Sequence, residues 1–178
     1  MGAQEFNLDK LRAVLERTPS VLTAWLNGLP EEFIRATEGE GTWSPYDVVG
    51  HLIHGERADW IPRARHILAG ETRPFDPFDR DAQFAESAGA SLAQLLEEFA
   101  RLRRESLAVL DGFHLTEDDL NRTGQHPAFG TVTLGQLLAT WTVHDLDHLA
   151  QIARTIAKTQ SANVGPWSAY LSVLQDRR

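Results

Sequence analysis

The sequence contains no cysteine, which excludes disulfide bridges, thiolate metal ligands and a cysteine nucleophile. Positive charge is also scarce: 17 Lys and Arg stand against 25 Asp and Glu, a net charge of −8. Nucleic-acid backbones and anionic membrane surfaces both require clustered basic residues. The one local run, Arg101, Arg103 and Arg104, is too short to provide them, so neither partner is expected. No apolar stretch approaches the roughly 18 residues of a membrane span. The start, MGAQEFNLDKLRAV, lacks the basic and apolar regions of a signal peptide, and the expected location is the cytoplasm. The glycosylation triplet Asn121-Arg122-Thr123 carries no weight without a secretion signal. What is present is 178 residues, 42% hydrophobic and 24% charged, which suits a single soluble domain over 1–178.

The dominant period is helical. Leu8, Leu11, Leu15, Leu22, Leu26 and Leu29 share a stripe across Pro19, which either kinks one helix or starts a second one capped by Thr18; the stripe stays in phase, which favours one kinked helix. In WSPYD, Ser44 is an N-cap, Pro45 suits the first helical position and Asp47 completes a capping box. The second helix is therefore expected over Pro45 to Leu68, bent at Pro62 and stopped by Gly70. Residues 70–90 carry two prolines and many aspartates without a sustained period, and read as a long connection. A third helix, capped by Ser91 with Gln94, runs to about Asp111. TEDDL at 116–120 suggests a single turn and HPAFG a loop. A fourth helix, capped by Thr133 with Gln136, reaches about Ala157, and the tail suggests a turn and a short amphipathic helix. No strand series is evident. The predicted fold is all-α, an antiparallel four-helix bundle with a long connection between helices two and three.

The chemistry concentrates in TWTVHDLDHLAQIART. At about 100° per residue, His148 lies about 40° from His144, both on the edge of the apolar arc and pointing into the bundle. Residues four apart on a helix bring their Cβ atoms about 5 to 6 Å from each other, close enough for two imidazoles to hold one ion. His51, in the second turn of the second helix, sits on a nearly apolar surface among Val48, Leu52 and Gly55. An imidazole there needs something to satisfy its nitrogens, and Gly55 one turn on would leave space beside it. Bundles build metal sites from facing helices, which makes His51 the third ligand. His54 projects about 60° away and has a supporting role or is a surface histidine. His66, His114 and His126 have no ligand-like partners. Metal-bound histidines commonly pass their other N–H to a carboxylate or carbonyl. Asp145, inside the apolar arc, and Gln151, on the triad's side, are the candidates. Glu56, about 140° from His51, receives no role, and Trp43, Trp60 and Trp141 are pocket or core. Histidine ligands bind metal only when neutral, so affinity is expected to fall as pH drops through about 6.5.

TWSPYDVVGHLIHGERADW at 42–60 and TVTLGQLLATWTVHDLDHLAQIAR at 131–154, with HPAFG and VGPWSAYL, resemble the DinB family of four-helix bundles, which includes YfiT-like metalloenzymes. The resemblance spans nearly the whole chain. It implies a divalent metal, nickel or zinc, held by a triad that falls here on His51, His144 and His148. A mycothiol-using branch has a carboxylate in place of one histidine; this sequence keeps three imidazoles.

Three neutral ligands leave a divalent ion coordinatively open, the pattern of catalytic sites. Such an ion makes bound water or a thiol nucleophilic near neutral pH. The resemblance implies a thiol S-transferase that adds a low-molecular-weight thiol, such as mycothiol or bacillithiol, to an electrophilic substrate. A hydrolase using water needs the same ligands. A non-catalytic stress-response bundle with a structural or vestigial metal is the alternative. Val49, Ile53, Trp60 and Ile67 form a stripe about 160° to 200° from His51. A second copy of the chain, in a homodimer, or the chain's own connection or tail is expected to cover it.

Overall fold

A computed structural model describes residues 7–175. The first helix, α1 (Leu8–Leu15), is capped by Asn7, whose side chain accepts from the Lys10 N–H at 2.9 Å. It is followed by a separate helix, α2 (Thr18–Leu26), where the stripe predicts one kinked rod. Proline lacks an N–H, and its ring displaces the carbonyl four residues back. For Pro19 that carbonyl belongs to Leu15, the last residue of α1. It is not left bare: Arg103 Nη1 donates to it at 2.9 Å.

The same physics corrects the second helix. After the short α3 (Glu31–Ile34), the segment predicted as one rod is α4 (Pro45–Ala58) and α5 (Trp60–Ala69). They part at Asp59, with φ −114° and ψ −75°, not at Pro62 itself. The carbonyl four residues before Pro62 is that of Ala58, so the break falls one turn upstream of the ring. Both ends are as predicted. The Ser44–Asp47 capping box starts α4, and Gly70 in the left-handed region (φ 70°) stops α5.

The 70–90 connection contains one short helix, α6 (Ala82–Glu86), packed on α4. Then come α7 (Leu92–Gly112), α8 (Glu117–Leu120) and α9 (Leu134–Lys158), all three with capping boxes. Four rods make the bundle: α1 with α2, α4 with α5, α7, and α9. α4 lies against α7 and α9, α2 against α7, and both α1 and α5 against α9. The tail forms two 3-10 turns, Gly165–Tyr170 and Ser172–Leu174. No helix among the described residues is long and apolar enough to cross a membrane.

Two strands appear where the sequence suggests none. β1 (Thr123–His126) and β2 (Gly130–Thr133) pair antiparallel, with HPAFG as the turn and Gly130 at φ 73°. Three-residue hairpin turns favour a left-handed glycine at this place. The hairpin holds down the long connection: Phe75 N–H donates to the Gln125 carbonyl at 2.8 Å. Gly124 is required there, because a Cβ would stand 2.6 Å from the Phe75 ring.

The core forms two apolar clusters. One gathers Leu15, Trp60, Ile67, Phe75, Leu134 and Trp141; the other gathers Leu22, Val49, Ile53, Leu96, Phe99 and Ile152. Val49, Ile53, Trp60 and Ile67 are each 4% exposed or less within the single chain. The stripe is therefore not an open surface for a second copy. Phe75 from the connection and residues of α7 cover it, while Trp167 and Tyr170 of the tail stay exposed.

Candidate metal centre

The capping box at Ser44 fixes the start of α4, which carries His51 in its second turn. α9 presents His144 and His148 one turn apart. The three rings meet. His51 Nε2 is 3.0 Å from His144 Nε2, and His148 Nε2 is 3.1 Å from the same atom. His51 and His148 are buried and His144 is half-buried. Among the described residues this is the cluster whose donor atoms converge, all within 4.8 Å of one another.

The rings are held neutral. Burial first, then the charges of His148, Arg80 and His54, push His51 down to about 3. Burial, with the charges of its two partner rings and of Arg103 and Arg80, pushes His144 down to about 2. Burial also lowers His148, against an opposing hydrogen bond with Gln151. That bond joins His148 Nδ1 to Gln151 Oε1 at 2.8 Å. Since the amide oxygen accepts, Nδ1 carries the hydrogen and Nε2 turns its lone pair towards His144.

These facts fit a bound cation. Three neutral Nε2 atoms crowd together with at most one hydrogen between any two of them. Two nitrogens each about 2.1 Å from one ion lie roughly 3.0 to 3.4 Å apart, depending on the angle at the metal. The two spacings to His144 Nε2, 3.0 and 3.1 Å, fall in that range. Nδ1 of His51 and of His144 is buried with no hydrogen-bond partner among the described residues.

Aromatic side chains wall the cluster. Trp43 tilts against His51 at 4.7 Å and stacks on His148 at 6.4 Å, and Phe78 meets His51 edge-on at 5.6 Å. Trp60 meets His144 edge-on at 5.1 Å. The helical wheel puts Trp60 opposite the triad; the break at Asp59 resets the phase and brings it alongside. Gly55 serves this indole rather than an open space, since a Cβ there would be 3.2 Å from Trp60 Nε1. The rings form one side of a cavity of about 1140 Å³, lined also by Asp59, Arg80 and the hairpin tip. Arg63 pairs with Asp59 at 2.8 Å and Arg154 with Glu38 at 2.9 Å, while Arg80 rests over Trp43 at 5.3 Å.

Asp145 is fully buried but does not hold a ring nitrogen. Both of its oxygens accept from Arg103, at 2.6 and 3.0 Å. His54 is not a surface residue: it is 7% exposed, and its Nδ1 lies 2.9 Å from Glu86 Oε1 of α6. His66 Nε2 donates to the Arg73 carbonyl, His114 is exposed in a loop, and His126 accepts two N–H groups at the hairpin tip. Glu56 and Arg103, to which the sequence assigns no role, are both buried. A signal existed, since Arg103 falls on the buried stripe four residues after Phe99 and four before Leu107.

A helical bundle with three converging histidines on two facing helices is the class that fold and site define. The DinB superfamily profile matches residues 14–152, and the chain belongs to that superfamily. It is 28% identical over 163 residues to "Putative metal-dependent hydrolase GK0616" of Geobacillus kaustophilus, covering 84% of this chain and 86% of that one. Among solved structures it is similar to YfiT from Bacillus subtilis, described as "a probable metal-dependent hydrolase with an unusual four-helix bundle topology". That likeness has a TM-score of 0.75 at 24% identity and covers 89% and 90% of the two chains. A mycothiol-dependent maleylpyruvate isomerase shares the fold at a TM-score of 0.57 and 18% identity, over 94% of this chain and 75% of that one.

Proposed function

We propose that this chain is a divalent-metal-dependent enzyme that activates a low-molecular-weight thiol for addition to an electrophile. The observation that carries the reading is the meeting of three imidazole Nε2 atoms at the wall of a large cavity. His51, His144 and His148 would hold the ion, and imidazole nitrogens suit both nickel and zinc. When bound, such an ion lowers the pKa of a thiol or water that it ligates. Gln151 orients His148 through Nδ1. Trp43, Phe78 and Trp60 exclude water from the rings, and Arg80 adds positive charge that favours an anionic sulfur. Asp59 lines the same cavity, and burial pushes its carboxyl up, against the charge of Arg63. It is the carboxylate suited to take up the proton of the thiol. The cosubstrate supplies the sulfur, consistent with a chain that has no cysteine. A reducing compartment, the cytoplasm, would keep that thiol available.

The second reading is hydrolysis by metal-activated water at the same site. The names of the Geobacillus kaustophilus and Bacillus subtilis relatives favour it. A thiol panel and an ester and amide panel, each run with nickel- or zinc-loaded and chelator-treated protein, separate the two. Metal-dependent consumption of a thiol with an electrophile is the expected result. Metal-dependent hydrolysis alone would establish the second reading, and neither activity would leave a non-catalytic bundle.

A further inference from the structure

Behind the triad lies a buried ionic cluster that neither proposed chemistry uses. Arg103 of α7 is 1% exposed. Its Nε and Nη2 donate to Glu56 Oε1 of α4 at 3.0 and 2.8 Å. Nη1 and Nη2 donate to the two oxygens of Asp145 of α9 at 2.6 and 3.0 Å, and Nη1 also donates to the Leu15 carbonyl at 2.9 Å. A guanidinium has five N–H donors, and here all five are used. The plane of the group is therefore fixed in every direction. It packs at 4.9 Å over Phe99 of one apolar cluster and at 5.2 Å over Trp141 of the other.

The two carboxylates belong to the two helices that carry the histidines. Asp145 follows His144 in α9, and Glu56 lies five residues after His51 in α4. A contact path also leads from the cluster to a ring. Glu56 Oε1 accepts from Trp141 Nε1 at 3.0 Å, Trp141 stacks on Trp60 at 5.9 Å, and Trp60 abuts His144. Two buried carboxylates and a guanidinium are costly to desolvate, and apolar residues of similar size often give equal or greater stability. Apolar packing does not supply the directional forks that set one helix against another to a fraction of an ångström.

We propose that Arg103 is a positioning residue of the metal centre. By clamping Glu56 to Asp145 it sets the spacing of α4 and α9, and with it the separation of the three Nε2 atoms. The inference rests on the metal-binding reading above. It extends that reading to residues that touch neither metal nor substrate.

The test measures Zn²⁺ affinity by competition with a chromophoric chelator, alongside helix content and thermal unfolding. Arg103→Lys keeps the charge but has three donors in place of the rigid fork of five. Asp145→Asn keeps the shape and gives up one of the two acceptors. The combined variant Arg103→Met, Glu56→Gln, Asp145→Leu removes the charges while leaving an acceptor for Trp141. Folded variants are expected to bind Zn²⁺ about 10-fold or more weakly, the range seen when groups supporting metal ligands are lost. That loss should persist in the combined variant even where its unfolding temperature matches the parent. A cluster that only stabilises the fold would leave every folded variant within about 2-fold of the parent, and that result would overturn the proposal. The parent is measured first, so a parent that binds no Zn²⁺ sinks the metal reading itself and is separable from failure of the clamp.

Discussion

Acidification of the metal-free protein gives a quantitative check on the buried rings. In the unfolded chain a histidine titrates at about 6.5. In the fold, burial first and then neighbouring positive charge hold His51 at about 3 and His144 at about 2. Between these values and 6.5 the unfolded state binds protons that the native state refuses. Stability therefore rises with pH through this window, and is lost as pH falls from about 6.5 towards about 3. A pH of 5 lies about 1.5 below the unfolded-state pKa of each ring, which corresponds to about 2 kcal/mol apiece. The two together are a large fraction of the stability of an ordinary domain. Urea unfolding of chelator-treated protein at pH 7 and pH 5, repeated with His51→Gln/His144→Gln, isolates this contribution. The parent should lose roughly 4 kcal/mol more than the double variant. Equal losses would mean that the rings are not held neutral by burial. The same shifts bear on the expected fall of metal affinity through pH 6.5. With His51 at about 3 and His144 at about 2, proton competition at these two rings should begin well below pH 6.5 in the folded protein.

Removing one ligand tests the triad: His148→Ala should lose most bound metal while remaining a folded helical bundle, as read by elemental analysis and circular dichroism. His114→Ala should retain its metal, and equal retention by His148→Ala would remove that residue from the site. Trp60→Glu should destabilise the fold by more than about 3 kcal/mol, because it places a carboxylate among buried side chains in place of a large aromatic. Chemical denaturation checks it, and an unperturbed midpoint would contradict the packing of α5 on α9. Asp59→Asn should lower thiol-transfer kcat/KM about 100-fold with metal content unchanged; full activity would exclude Asp59 as the proton acceptor.

The fold was legible wherever one local rule operates alone. Ser44, Ser91 and Thr133 each announce a helix through a side chain paired three residues on, and all three boxes form. The histidines were legible because imidazoles on an apolar stripe stand out against their neighbours. Proline breaks were misplaced because the strain acts on the carbonyl four residues upstream, at Leu15 and Ala58, rather than at the ring. The same displacement ends the regular 100° progression at Asp59, so a helical wheel drawn through it places Trp60 on the side away from the triad. The hairpin is not legible in the sequence because its strands, TGQH and GTVT, are short and nearly lack apolar alternation. They are held by the turn and by Phe75, a contact between distant parts of the chain. Arg103, Glu56 and Asp145 each carry charge, and nothing local to any one of them reveals the other two. Their partnership exists only once three helices pack.

The most direct test is X-ray absorption on protein purified without added chelator, combined with elemental analysis. About one nickel or zinc per chain is expected, with three imidazole nitrogens at roughly 2.0 to 2.1 Å, and loss of that signal in His51→Ala. A protein free of metal even after incubation with nickel and zinc salts, or a bound ion whose nitrogen shell survives His51→Ala, would contradict that expectation.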